Sequence, residues 1–196
     1  ADALARDGEL LALDALLRQA ASGRATGNAI IDALIAPMRV HALDWRHLHD
    51  LIDAFRQDVR ITRYPDPNSV QDYCERSANP VGRLMLELFG VGSAENRVMA
   101  DAICSALQRI NFLQDVLIDR DKDRVYLPLS TLAQAGIAAD SLAAALVGPA
   151  FAPALIDAIR IEAARAHAQM RAGAPLVTRV PFRFGLELRF IIAGGL

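Results

Sequence analysis

Between Gln108 and Pro128 the sequence reads QRINFLQDVLIDRDKDRVYLP, and four of its polar residues, Gln108, Asn111, Asp115 and Asp119, recur in steps of three, four and four. On an α-helix, at about 100° per residue, these steps keep all four within an arc of roughly 80°. Phe112 falls inside the same arc, no cation does, and Ile103, Ala106, Ile110, Leu113 and Leu117 occupy the other side. The expectation is a helix from Ala94 to Asp119, capped by Ser93 and buried nearly all round. Other helices must then surround it. Composition agrees, because 53% hydrophobic residues with only 6% aromatics favour Ala- and Leu-rich helices over an all-β fold. No segment of strand period and no internal repeat is evident. The reading is an all-α fold, and 196 residues fit a single domain, 1–196.

Asp115 and Asp119 lie one turn apart, and two carboxylates about 6 Å apart repel by roughly 3 kcal/mol at an effective dielectric of about 20. A cation relieves that repulsion. Two carboxylates and two amide oxygens with no soft ligand nearby suit Mg²⁺ better than zinc or copper. Mg²⁺ keeps several waters and takes further oxygens from substrate phosphates, so the stripe suggests a diphosphate held through metal. Arg120, Lys122 and Arg124, just past the helix end, are placed to meet the phosphate oxygens left free. The competing reading is a solvated helix face.

A net charge of -2 with no block of like charge argues against nucleic acid as a partner. Cys74 and Cys104 sit inside helical patterns and read as buried thiols in a reducing compartment, not as a zinc site or a disulfide framework. The longest uncharged run, Leu142 to Ile156, contains Pro149 and Pro153 and is short of the roughly 20 residues a membrane span needs. The first residues lack a basic segment followed by an apolar one, so no signal peptide is expected.

Along the chain, Glu9 to Ala20 form a first amphipathic helix, and Asn28 caps a second that Pro37 should stop or kink. Asp44 opens a third, with Leu48, Leu51, Ile52, Phe55 and Val59 inward, Arg56 and Gln57 at the solvated surface, and His41, His47 and His49 at surfaces or interfaces. Ser69 with Asp72 resembles an N-cap for a helix to Phe89, which Pro80 should bend in its middle. Ala78, Asn79 and Gly82 around that bend leave room for a ligand, or mark close helix packing. Pro128 ends the stretch after the acidic stripe, and the intervening loop has the length of a lid. Ser130 restarts a short helix to Gln134, Gly136 and Asp140 mark a break and a cap, Pro153 to Arg171 form a long helix, and Pro181 starts the last one.

The pattern Q-x-x-N-x-x-x-D-x-x-x-D followed by RVYLP resembles the second aspartate-rich motif of the squalene and phytoene synthase family. YCERSANPVG, from Tyr73 to Gly82, resembles the segment lining that family's prenyl pocket, and the tail APLVTRVPFRFGLELRFIIAGGL resembles its last helix. The wordings SANPVG and NFLQDV are most similar to the hydroxysqualene synthase branch of hopanoid pathways.

The resemblance implies an isoprenoid synthase-type helical bundle around a central cavity, and an enzyme that converts presqualene diphosphate to hydroxysqualene. Mg²⁺ would be held by Asp115, Asp119 and Asn111. Gln108 and Asn111 would orient metal-bound oxygens, Arg124 and Tyr126 would contact phosphate, Ser77 and Ala78 would line the prenyl pocket, and Tyr73 would face the leaving group. It implies a cytoplasmic protein with transient contact to the inner membrane surface. Head-to-head condensation of farnesyl diphosphate, or phytoene-type synthesis, is the alternative chemistry. A non-catalytic relative, like the complex I assembly factors of this fold, is the alternative of another class. The family carries a first aspartate motif as well. The opening ADALARDG matches it imperfectly, with Asp2 as its first aspartate in one register and its last in another, and the helices that precede it are expected to be absent from the chain.

Overall fold

A computed structural model describes residues 3–138 and 153–196. Helices α1 (Ala3–Ala21), α2 (Ala29–Val40) and α3 (Arg46–Arg60) form one end of the bundle. They enclose Leu17, Ala20, Ile31 and Ile52, with Trp45 packed against this cluster. Asn28 caps α2, its side chain accepting from the Ile30 and Ile31 amides, and Pro37 lies inside the helix without ending it before Val40. The inward stripe of α3 departs from expectation at Phe55, which is 48% exposed, while His47 lies at a helix interface, buried with Nε2 2.9 Å from the Glu87 carboxylate.

The single helix expected up to Phe89 is two helices, α4 (Pro67–Ser77) and α5 (Asn79–Leu88). The break falls at Ala78 (φ -125, ψ -46) and not at Pro80, which sits in the first turn of α5, where a missing N–H leaves no bond unmade. The cap is likewise displaced: Asp66 closes a capping box with Ser69, and Pro67 follows at the first helical position.

Helix α6 (Ala94–Gln114), capped by Ser93, runs through the bundle between α5 and α9 (Pro153–Gly173). Its Met99, Ile103 and Ala106 share one core with Met170, with Leu176 of the 3₁₀ turn Ala174–Thr178, and with Leu188 and Ile192 of α10 (Phe182–Gly195). A Cβ on Gly173 would stand 2.6 Å from the Met99 carbonyl oxygen, so a glycine is what lets α9 approach α6 this closely. Instead of continuing to Asp119, α6 ends at Gln114 and a separate short helix, α7 (Val116–Asp121), follows. Nor is the pair buried all round, because Leu107, Leu117 and Ile118 are exposed.

The segment after α7 is not a free lid. The Val125 amide donates to the Thr62 carbonyl at 2.9 Å, forming an isolated parallel bridge between Arg63 and Val125. Leu129 and Ser130 at the start of α8 (Leu129–Gln134) donate to the Tyr64 and Pro65 carbonyls. Val125, Tyr126, Leu127 and Pro128 are buried, which fixes the segment against the α3–α4 connection. The cap proposed at Asp140 and most of the apolar run from Leu142 lie outside the described residues. Among the described residues there is no strand beyond that bridge, and no helix is long and apolar enough to cross a membrane.

Candidate active site

The break between α6 and α7 falls on Asp115, whose backbone (φ -96, ψ 11) caps α6. Its carboxylate accepts from Asn111 Nδ2 at 3.0 Å, and its carbonyl accepts from the Asp119 amide at 2.8 Å, so the two aspartates stay one turn apart despite the interruption. Asp119 is half-buried and lines a crevice of about 10 Å³ with Phe112, Val116, Arg124 and Tyr126. Burial pushes its carboxyl above the ordinary range, and the Asp115 charge pushes the same way, against Lys122 and Arg124.

The donors of this corner suit a hard divalent ion: two carboxylates, and the Asn111 amide oxygen left free by the bond that Asn111 Nδ2 makes to Asp115. Among the described residues no group of three or more His, Cys, Asp or Glu converges. An ion here would complete its shell with water or ligand oxygens. Gln108 is half-buried one turn before Asn111 on α6. Asp2 lies outside the described residues.

Behind Asp119 stands a wall of aromatic rings. Tyr126 lies flat on Phe112, with centroids 3.9 Å apart and planes at 4°, and Tyr64 and Tyr73 pack at 5.5 and 5.7 Å from the Tyr126 ring. Tyr73 is 4% exposed and its hydroxyl donates to Asp58 Oδ2 at 2.7 Å. It is a core residue whose hydroxyl is committed to Asp58. Tyr126 donates to the other oxygen, Asp58 Oδ1, at 2.9 Å, while an Arg124 amine donates to the Asp58 carbonyl at 3.0 Å. Asp58 is the site residue that sequence reasoning passed over. A signal existed in the sequence: it falls seven positions after Leu51, on the stripe expected to face inward from α3.

Arg56 and Gln57 are not solvated surface. They are half-buried and border a hollow of about 320 Å³ with Asp53, Arg60, Ile61 and Arg76. Its guanidiniums are already paired: Arg56 and Arg60 with Asp7, Arg76 with Asp72 and Gln57.

The break at Ala78 opens toward a second feature. Ser77 carries a sealed hydroxyl without a partner, and Asn79 is held by the Ser105 hydroxyl at 2.9 Å. Just beyond, Val81, Gly82, Met85, Ala100, Cys104 and Leu107 line an apolar cavity of about 230 Å³, closed by Leu188 and Ile191 of α10. A Cβ on Gly82 would stand 2.7 Å from Cys104 Sγ. Ala100, Cys104, Leu107, Gln108, Asn111 and Asp115 follow at helical spacing, so one side of α6 passes from apolar cavity to acidic rim. From Cys104 to Asp115 that is roughly 16 Å of helix rise. Ser77 and Ala78 are not among the cavity's walls.

Comparison with known proteins gives this arrangement a setting. The chain is 35% identical over 192 residues to a hydroxysqualene synthase from Sinorhizobium fredii, a match covering 97% of the chain and 64% of the relative. A presqualene diphosphate synthase from Rhodopseudomonas palustris is 34% identical over 103 residues, 52% of this chain and 37% of that one. The chain thus spans less than two thirds of the curated relatives' length. The crystal structure of squalene synthase HpnC from Alicyclobacillus acidocaldarius superposes with a TM-score of 0.88 at 34% identity, over 95% of this chain and 69% of that one. The squalene/phytoene synthase family profile matches residues 1–195. With its helical bundle and its aspartate pair at the end of α6, the chain belongs to the squalene/phytoene synthase family.

Proposed function

We propose that the protein processes a prenyl diphosphate with Mg²⁺, and that its reaction is the conversion of presqualene diphosphate to hydroxysqualene in hopanoid formation. The observation that carries this reading is that walls of the apolar cavity (Ala100, Cys104, Leu107) and the polar residues Asn111 and Asp115 follow one another along the same side of α6. A hydrocarbon chain fits the first, and a diphosphate bound through metal fits the second.

Asp115, Asp119 and Asn111 would hold the ion, and Gln108 would orient its water. Bound Mg²⁺ supplies charge that neutralises the departing diphosphate. Arg124, only part of whose guanidinium is bonded to Asp58, turns its remaining N–H groups to phosphate oxygens beside Tyr126. The carbon–oxygen bond breaks with its electron pair leaving on the diphosphate. The cyclopropyl cation rearranges, and water adds and loses a proton. The apolar walls keep other water away. Substrate and product are both lipids, and we place their exchange at the inner membrane surface, on the cytoplasmic side.

Asp115→Ala and Asp119→Ala should each cut turnover of presqualene diphosphate by at least about a hundredfold. Retained turnover in either removes the metal role. A non-catalytic relative is the second reading, favoured by the imperfect match of the opening ADALARDG to the family's first aspartate motif. Melting with and without Mg²⁺ and a diphosphate analogue separates the two, since an inert scaffold shows no ligand-dependent rise.

A further inference from the structure

Asp58 stands outside the set that would hold the ion, yet its charge reaches Asp119 and three groups around that corner end on it. Tyr73 from α4 and Tyr126 from the segment after α7 donate to its two carboxylate oxygens at 2.7 and 2.9 Å, and Arg124 donates to its carbonyl at 3.0 Å. Two phenols sealed in an aromatic cluster need acceptors, and a single carboxylate offers one oxygen to each. Arg124 and Tyr126 are also the residues that share the Asp119 crevice.

We infer that Asp58 is a positioning residue for the diphosphate: its carboxylate and carbonyl jointly set where Tyr126 and the Arg124 guanidinium stand relative to Asp119. The inference rests on the prenyl diphosphate reading above, but concerns residues outside the metal ligands. An amide at this position has one acceptor oxygen and presents an N–H₂ to the second phenol, which must then turn its hydrogen away. Asp58→Asn keeps the size of the side chain and releases one of the two rings' anchors.

The test combines kinetics with a spectroscopic readout on the full chain. In Asp58→Asn, KM for presqualene diphosphate should rise about tenfold or more while kcat changes by less than about threefold. Tyr126→Phe, which keeps the ring stack, should add little to Asp58→Asn, because both remove the same link. A KM unchanged from wild type, or fully additive effects, overturns the inference. Independently of any variant, the hydroxyl protons of Tyr73 and Tyr126 should be visible by NMR in slow exchange with water in the wild-type chain. Their absence overturns it even if Asp58→Asn fails to fold. The two readings fail separately. If Asp115→Ala retains turnover while the phenol protons behave as stated, the metal role falls and the Asp58 anchor stands; the converse pattern sinks only the anchor.

Discussion

The Arg109 guanidinium on α6 meets the Glu162 carboxylate on α9 at 3.2 Å, with the two side chains only 6% and 4% exposed. Arg109 also donates to the Pro67 carbonyl, and the second Glu162 oxygen accepts from Thr131 at 2.7 Å, so the pair ties α4, α6, α8 and α9 together. Removing one partner strands a charge away from water. Glu162→Ala should therefore cost about 3–5 kcal/mol in urea unfolding, and replacing both residues by methionine should recover most of that loss. A double variant as unstable as Glu162→Ala alone would contradict this account.

Two glycines inside helices should respond in opposite directions. At Gly173 a Cβ meets the Met99 carbonyl and Ile103, backbone and core that cannot step aside, whereas at Gly8 in α1 nothing lies within 4 Å. Gly173→Ala is expected to destabilise by about 1–3 kcal/mol through overpacking, while Gly8→Ala stabilises by up to about 1 kcal/mol. Denaturant midpoints of the two variants check the contrast.

The chain's three tyrosines, Tyr64, Tyr73 and Tyr126, all belong to the one cluster, and burial raises each hydroxyl above its usual value, with the Asp58 charge pushing the same way. Burial also raises the thiols, Cys104 to about 11 and Cys74 to about 12. In the unfolded chain thiols release protons from about 8.5 and phenols from about 10, ahead of the folded state. The unfolded state then holds fewer protons, so stability falls as pH rises. Melting temperature should be level between about pH 7 and pH 8, decline above it, and drop steeply past about pH 10. With a single lysine in the sequence, little else titrates there. A melting temperature unchanged from pH 8 to 11 would refute the burial argument.

Helix type and order were legible because apolar spacing and caps are local signals: Asn28, Ser93 and Pro181 stand at the helix starts that the sequence suggests. Breaks were less so. Pro80 does interrupt the helix, but the break falls two residues upstream at Ala78, because Pro80 cannot donate to the Arg76 carbonyl and instead occupies the first turn of the next helix. The interruption at Asp115 carries no such mark in the sequence. Asp115, Asp119 and Asn111 could be grouped from the sequence because they repeat along one helix. Asp58 was missed because its partners come from α4 and from the segment after α7, 15 and 68 residues away. The length of that segment suggested a lid, whereas its amides are bonded to residues 62–65, and length carries no information about such bonds.

The gathering of every tyrosine behind Asp119 leaves the sole tryptophan, Trp45, at a separate cluster with α1 and α2. The molecule is in effect labelled twice by its own chromophores. Ultraviolet difference spectra of the phenols follow events beside the acidic corner, indole emission follows the cluster at the start of α3, and loosening of either can be timed against the other without attaching a dye.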